Sequence, residues 1–187
     1  MSHARSIAIA ALFAFATCTA HAADAGKRSE IRAPYGITDV PLTQGGVQAT
    51  LVRARRENFN AHSFDVLSIY VRAASGLELV PLWDDDEELH ELETVEGADC
   101  KLKTFHFFSE PGKDLQLVIA RRPLGESYAD AADVTFIYFT LKRNTEAVPG
   151  WPRYYFERTR TTKAKRQYCD VDEALAQEAG LIRPSSG

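Results

Sequence analysis

Three histidines, one serine and one run of acids are the side chains of this sequence whose types could do chemistry. His3 and His21 belong to an N-terminal leader, which leaves His62, His90 and His106. No two of these stand at His-x-His or His-x-x-x-His, the spacings that place two imidazoles on one ion, so no metal is assigned. His62 ends Asn58-Phe-Asn-Ala-His62, a polar connection of the kind that carries binding residues, and is a candidate ligand contact. His90 lies among acids. His106 lies between rings, where a half-buried strand residue is the ordinary role. Asp84 to Asp99 holds nine acids and no Lys or Arg. An EF-hand beginning at Asp84 needs Gly sixth and Glu twelfth, but those positions are Leu89 and Val95. The run therefore reads as a solvated face or as a docking surface for a basic partner.

Gly125-Glu-Ser-Tyr-Ala129 is a loosened version of the Gly-x-Ser-x-Gly nucleophile elbow. The hydrolase fold that uses this elbow places its histidine after the serine, and none follows His106. A serine nucleophile also needs a base within hydrogen-bond reach. Ser127 thus remains a minor candidate, and no catalytic residue is assigned. Ser-x-x-Lys and phosphate-cradling glycine loops do not occur. No cofactor is implied.

Basic side chains crowd the C-terminal third, from Arg153 and Arg158 to Lys165 and Arg166. Arginine meets a carboxylate bidentately, and neighbouring rings offer an apolar wall. Trp151, Arg153, Tyr154 and Arg158 are therefore the expected contacts for a small anionic ligand. A salt-bridge network inside the protein is the competing reading of the same charges.

The elements that must position these residues are strands. Val134 to Arg160 holds two aromatic, β-branched runs around a turn cluster with two prolines and a glycine, the pattern of adjacent antiparallel strands. This pair is expected at the centre of a sheet. Phe64 to Ala73 alternates cleanly, and Ser75-Gly76 turns it into Leu77 to Trp83. Val47 to Arg55, Cys100 to Phe108 and Leu115 to Ala120 complete the strands. Asp84 to Asp99 is expected as a short helix or a long loop. Asp170, with Glu173 three residues on, predicts a capped helix over Val171 to Ala179, stopped by Gly180. The fold class is mostly β: one antiparallel β-sandwich or partly open barrel with a short C-terminal helix.

Arg5, the apolar run Ile7 to Ala16 and Ala20-His-Ala22 form an expected signal peptide over residues 1–22, cleaved near Ala22. Cys18 would allow lipidation, but Thr17 suits that poorly. The apolar run is shorter than the roughly 20 residues a membrane span needs, so no stable membrane insertion is expected. Residues 23–46 read as an irregular segment, 47–182 as a single β-rich domain and 183–187 as a disordered tail. Export implies a periplasmic or secreted protein. The net charge of −4 argues against a nucleic-acid partner. The two cysteines outside the leader, Cys100 and Cys169, then favour a disulfide over two buried thiols.

Asn60-Ala-His62, Leu124-Gly-Glu-Ser-Tyr128 and Lys165-Arg-Gln-Tyr-Cys-Asp-Val-Asp-Glu-Ala174 resemble the CarG family of carbapenem self-resistance proteins. The resemblance runs from about Val47 to Leu175. It implies a periplasmic, mostly β homodimer that protects the cell without hydrolysis, by binding a β-lactam or shielding its target. It brings no catalytic residue. The alternative function is a periplasmic inhibitor or immunity-type module that docks a protein through its acidic run.

Overall fold

A computed structural model describes residues 28–181. The expected signal peptide and the 183–187 tail lie outside those residues. In chain order the first strands are β1 (Ser29–Ile31), β2 (Gly36–Pro41), β3 (Gln48–Arg56), β4 (Phe64–Ala73) and β5 (Gly76–Leu79). Four short strands follow: β6 (Leu82–Asp84), β7 (Glu87–Leu89), β8 (Leu92–Glu93) and β9 (Val95–Glu96). Then come β10 (Lys101–Ser109), β11 (Gln116–Arg121), β12 (Ala132–Arg143), β13 (Tyr154–Tyr168) and α1 (Val171–Ala174), which a π turn extends over Leu175–Ala179.

Among the described residues two sheets pack face to face as a sandwich, and neither closes into a barrel. The larger runs β1-β10-β11-β12-β13-β6-β7, with β9 beside β10; the smaller runs β2-β3-β4-β5, with β8 beside β4. The expected aromatic pair, β12 and β13, is antiparallel and lies at the middle of the larger sheet. Leu117 and Ile119 of β11 point into the core between the sheets, while Val118 and Ala120 point to the opposite face, under the C-terminal helix. A strand buried on both faces needs an unbroken apolar run, and Leu115 to Ala120 is one. Leu51, Leu67, Ile69, Phe107, Phe139 and Phe156 fill the core between the sheets. Val134, Phe136, Val171, Ala174 and Leu175 fill the second core.

Four expectations need correction. Residues 23–46 are not irregular throughout, because β1 pairs with β10 and β2 pairs with β3 over six positions. The domain boundary at 47 therefore falls inside a sheet, and Val40 and Leu42 are core residues. The breakers misled because they sit at strand ends. Gly36 opens β2 at φ 93°, and Pro41 closes an edge strand, where a missing N–H costs little. Second, the acidic run is neither helix nor loop but the short strands β7, β8 and β9, with Asp85 turning β6 into β7 at φ 57°.

Third, the arm expected over Leu77–Trp83 divides. It leaves the smaller sheet after β5, and β6 joins the larger sheet parallel to β13, pairing Leu82 with Phe156 and Trp83 with Glu157. Pro81 has no N–H, but its carbonyl accepts from Phe156 N at 2.8 Å. Fourth, the strand pair expected over Val134 to Arg160 runs further, because the polar stretch Thr161 to Gln167 continues β13 and pairs back along β12 as far as Ala132. The helix forms as expected. Asp170 Oδ1 accepts from Asp172 N at 2.7 Å and Glu173 N at 3.4 Å, and Gly180 ends the helix at φ 63°. Glu173 does not return the cap; its carboxylate accepts from Gln177 at 2.7 Å.

Candidate functional site

The connection between β12 and β13 is long enough to wander, and Asn144 prevents that. Its side-chain amide donates to Val148 O at 3.0 Å and Trp151 O at 3.1 Å, while its Oδ1 accepts from Val148 N at 2.9 Å. Asn144 N closes the loop on Arg153 O at 2.9 Å. Pro149 and Pro152 restrict the chain further, and Gly150 supplies a positive φ of 85°. The product is a stiff loop that holds Trp151 at its tip, 45% exposed.

Because β6 pairs in parallel with β13, Trp83 arrives beside that loop. The Trp83 and Trp151 rings lie 5.1 Å apart with 34° between planes, and Tyr155 continues the shelf 5.2 Å beyond Trp151. The indole Nε1 of Trp83 is buried without a hydrogen-bond partner. Beside Trp151 opens a cleft of about 480 Å³, walled by Val71, Leu79, Pro149, Arg153 and Tyr154. Three of the expected ligand contacts, Trp151, Arg153 and Tyr154, therefore do share one cavity. Arg158 lies on the other side of Trp151, in a depression of about 200 Å³ with Trp83, Asp85 and Glu157.

Both arginines are engaged by acids of the same chain. Arg153 faces Glu78 at 3.5 Å, and Arg158 binds Asp84 at 2.9 Å and also Asp85. Lys142 and Glu157 pair at 3.3 Å, and Arg143 holds Asp114 at 2.7 Å. The salt-bridge reading of these charges describes the molecule. Arg153–Glu78 is exposed and long, so it contributes little stability. Arg158, with Asp84 only 16% exposed, fixes the β6–β7 hairpin to the sheet.

His62 is not part of this cavity. Its Nδ1 lies 3.1 Å from Glu96 O, and its ring meets Tyr128 at 4.7 Å. Tyr128 lies in the turn that precedes β12, whereas Trp151 follows the strand's end. A strand of this length separates the two places by roughly 35 Å. His62, Tyr128 and Cys169 gather around a structural knot. Buried Arg122 donates to the carbonyls of Cys169, Pro123 and Tyr128. Cys100 and Cys169 are bonded there, with Cα atoms 5.7 Å apart. Asp170 also accepts from Lys101 N at 3.0 Å, so cap, disulfide and strand end meet.

The remaining candidates resolve simply. Ser127 Oγ accepts from Ala129 N at 3.0 Å inside a turn closed by Asp130. His106 reaches Glu30 at 3.2 Å and Asp172 at 3.1 Å, linking β1 to α1. Burial pushes the Asp172 carboxyl up, but the His106 hydrogen bond and the Lys101 ammonium outweigh it. The carboxyl is held well below the usual range. Among the described residues, no group of three or more His, Cys, Asp or Glu could hold a metal ion. Sequence reasoning missed Trp83, Asn144 and Tyr155. Only Asn144, in a turn cluster with prolines and glycine, carried a local signal.

The chain's fold has a solved counterpart: the crystal structure of CarG superposes with a TM-score of 0.68 at 22% identity, covering 82% of this chain and 99% of that one. No curated protein matches the sequence. Residues 34–177, which hold most of both sheets, the aromatic loop and the disulfide, match the family described as "Carbapenem resistance protein CarG-like". The chain belongs to this family of carbapenem resistance proteins.

Proposed function

We propose that this protein is an exported, non-enzymatic carbapenem resistance factor that protects the cell by shielding the drug's target rather than by destroying the drug. Family membership over residues 34–177 carries the reading. Two features of the chain support its finer parts. Ser127 is built into a turn, where its hydroxyl caps a backbone N–H instead of facing a base. The arginines beside the aromatic cleft are matched by Glu78, Asp84 and Asp85, which disfavours capture of the drug through its carboxylate. The same matching weakens the inhibitor-type alternative. Of its acidic run, Asp84, Asp85, Glu88 and Glu96 already face Arg158, His90 or Arg55. A periplasmic homodimer belongs to the same proposal.

The test pairs two measurements. Expression in a sensitive, exporting host should raise the carbapenem concentration needed to stop growth, with the protein recovered from the periplasmic fraction. The purified protein should leave the β-lactam absorbance of the drug unchanged. Multiple turnovers that vanish in Ser127→Ala would overturn the proposal. Sedimentation of the same preparation reads the oligomer.

A further inference from the structure

Both tryptophans of the protein, Trp83 and Trp151, meet at one shelf. Trp151 lines three adjoining depressions, of about 480, 320 and 200 Å³. Tyr155 extends the shelf into the second of these, and Trp83 floors the third. An indole held 45% exposed on a loop stiffened by Asn144 and two prolines is preorganised for a flat, partly apolar guest.

The surrounding charges narrow the guest's chemistry. Four cations, Lys142, Arg143, Arg153 and Arg158, are paired with five acids, Asp114, Glu157, Glu78, Asp84 and Asp85. An anion entering here must displace a carboxylate already in place, and the acids outnumber the cations, Glu146 lining the second depression as well. A ligand with hydroxyl groups displaces nothing, because each hydroxyl can donate to a carboxylate and accept from a guanidinium. The weakly positive C–H face of a pyranose also suits the electron-rich face of an indole. Depressions placed around a single ring fit a chain of linked rings better than one compact molecule.

We infer that the Trp83–Trp151–Tyr155 shelf binds a chain of uncharged pyranose rings, of the class of N-acetylhexosamine glycans. The inference rests on the shielding proposal and gives it a place to act, since the enzymes that β-lactams inhibit work on a glycan-borne polymer. Proline-rich peptides also settle on aromatic shelves. The buried Trp83 N–H offers such a peptide no donor, and a proline-rich peptide is one arm of the test.

The experiment titrates the purified protein with soluble N-acetylglucosamine oligomers while following tryptophan fluorescence, which reports only this shelf. The expected result is a saturable change whose affinity rises with oligomer length and is insensitive to added salt, since no net charge is neutralised. Trp151→Ala should weaken binding roughly tenfold, while Trp151→Tyr, which keeps a ring, should retain most of it. Saturation transfer from aromatic protons to the sugar ring protons checks the same contact in the unaltered protein. The inference is overturned if no oligomer binds, if Trp151→Ala binds as well as wild type, or if only a proline-rich peptide or a carbapenem occupies the shelf. A protein that protects cells yet binds no glycan sinks this inference alone. Drug turnover sinks the shielding proposal whatever the sugar result.

Discussion

Gly97→Ala tests the knot around Tyr128 most directly. A Cβ at position 97 would stand 2.3 Å from Tyr128 Cδ1, 2.6 Å from Cγ and 2.7 Å from Cβ. Carbon atoms in contact prefer about 3.5–4.0 Å, so the shortfall exceeds roughly 1 Å. Swinging the ring outward relieves the first two contacts but not the third, because the Tyr128 Cβ moves only with its backbone. That backbone carbonyl accepts from buried Arg122, so displacement costs a hydrogen bond to a charged donor. Overpacking typically costs about 1–3 kcal/mol, and a hydrogen bond to a charged group contributes about 1.5–3 kcal/mol. We expect Gly97→Ala to lose about 2–4 kcal/mol in a urea titration. Tyr128→Ala should restore part of the loss, since it removes the ring and leaves the Cβ. A coupling energy below about 0.5 kcal/mol in that double-mutant cycle, or a single mutant as stable as wild type, refutes the reasoning.

Three other outcomes are expected. Replacing Cys100 and Cys169 by serine frees a loop spanning 69 positions; chain entropy puts the loss at roughly 4 kcal/mol, read from denaturation with and without the bond. Asp172 has a depressed pKa in the folded protein, so its contribution is full at neutral pH and declines as the pH falls below about 4. Asp172→Asn should lower neutral-pH stability and flatten the acid limb of the stability curve; an unchanged acid limb contradicts the assignment. Arg158→Ala leaves Asp84 and Asp85 without their shared cation and should cost about 1 kcal/mol, visible as a lower Tm.

What could be read from the sequence was whatever a local pattern encodes. β4 alternates because one of its faces is buried, and β11 is uniformly apolar because both are. Asp170 and Gly180 mark their helix through chemistry confined to a few residues. β7, β8 and β9 carried no such mark. They are two or three residues long and rich in acids. β7 is held through its β6 partner, whose Asp84 meets an opposite charge 74 positions away at Arg158, while β8 and β9 each pair with a different strand. The site divided in the same way. Trp151, Arg153 and Tyr154 fall together because they share one loop. Trp83 reaches them only through a parallel pairing with β13, which no spacing rule encodes. His62 looked functional in a polar loop, yet its ring packs on Tyr128 at the opposite end of the sheet.

The parallel seating of β6 on β13 also has a kinetic consequence. Leu82 pairs with Phe156 across β7 to β12, so this seam closes a far longer loop than the β12–β13 hairpin. Contacts of such separation gain nothing until the loop entropy has been met, which places them late in folding. Trp83 sits on the seam, and Trp151 packs against it. Stopped-flow refolding followed by tryptophan emission should therefore lag the far-ultraviolet signal of the sheet, timing the last stitch of the fold apart from the rest.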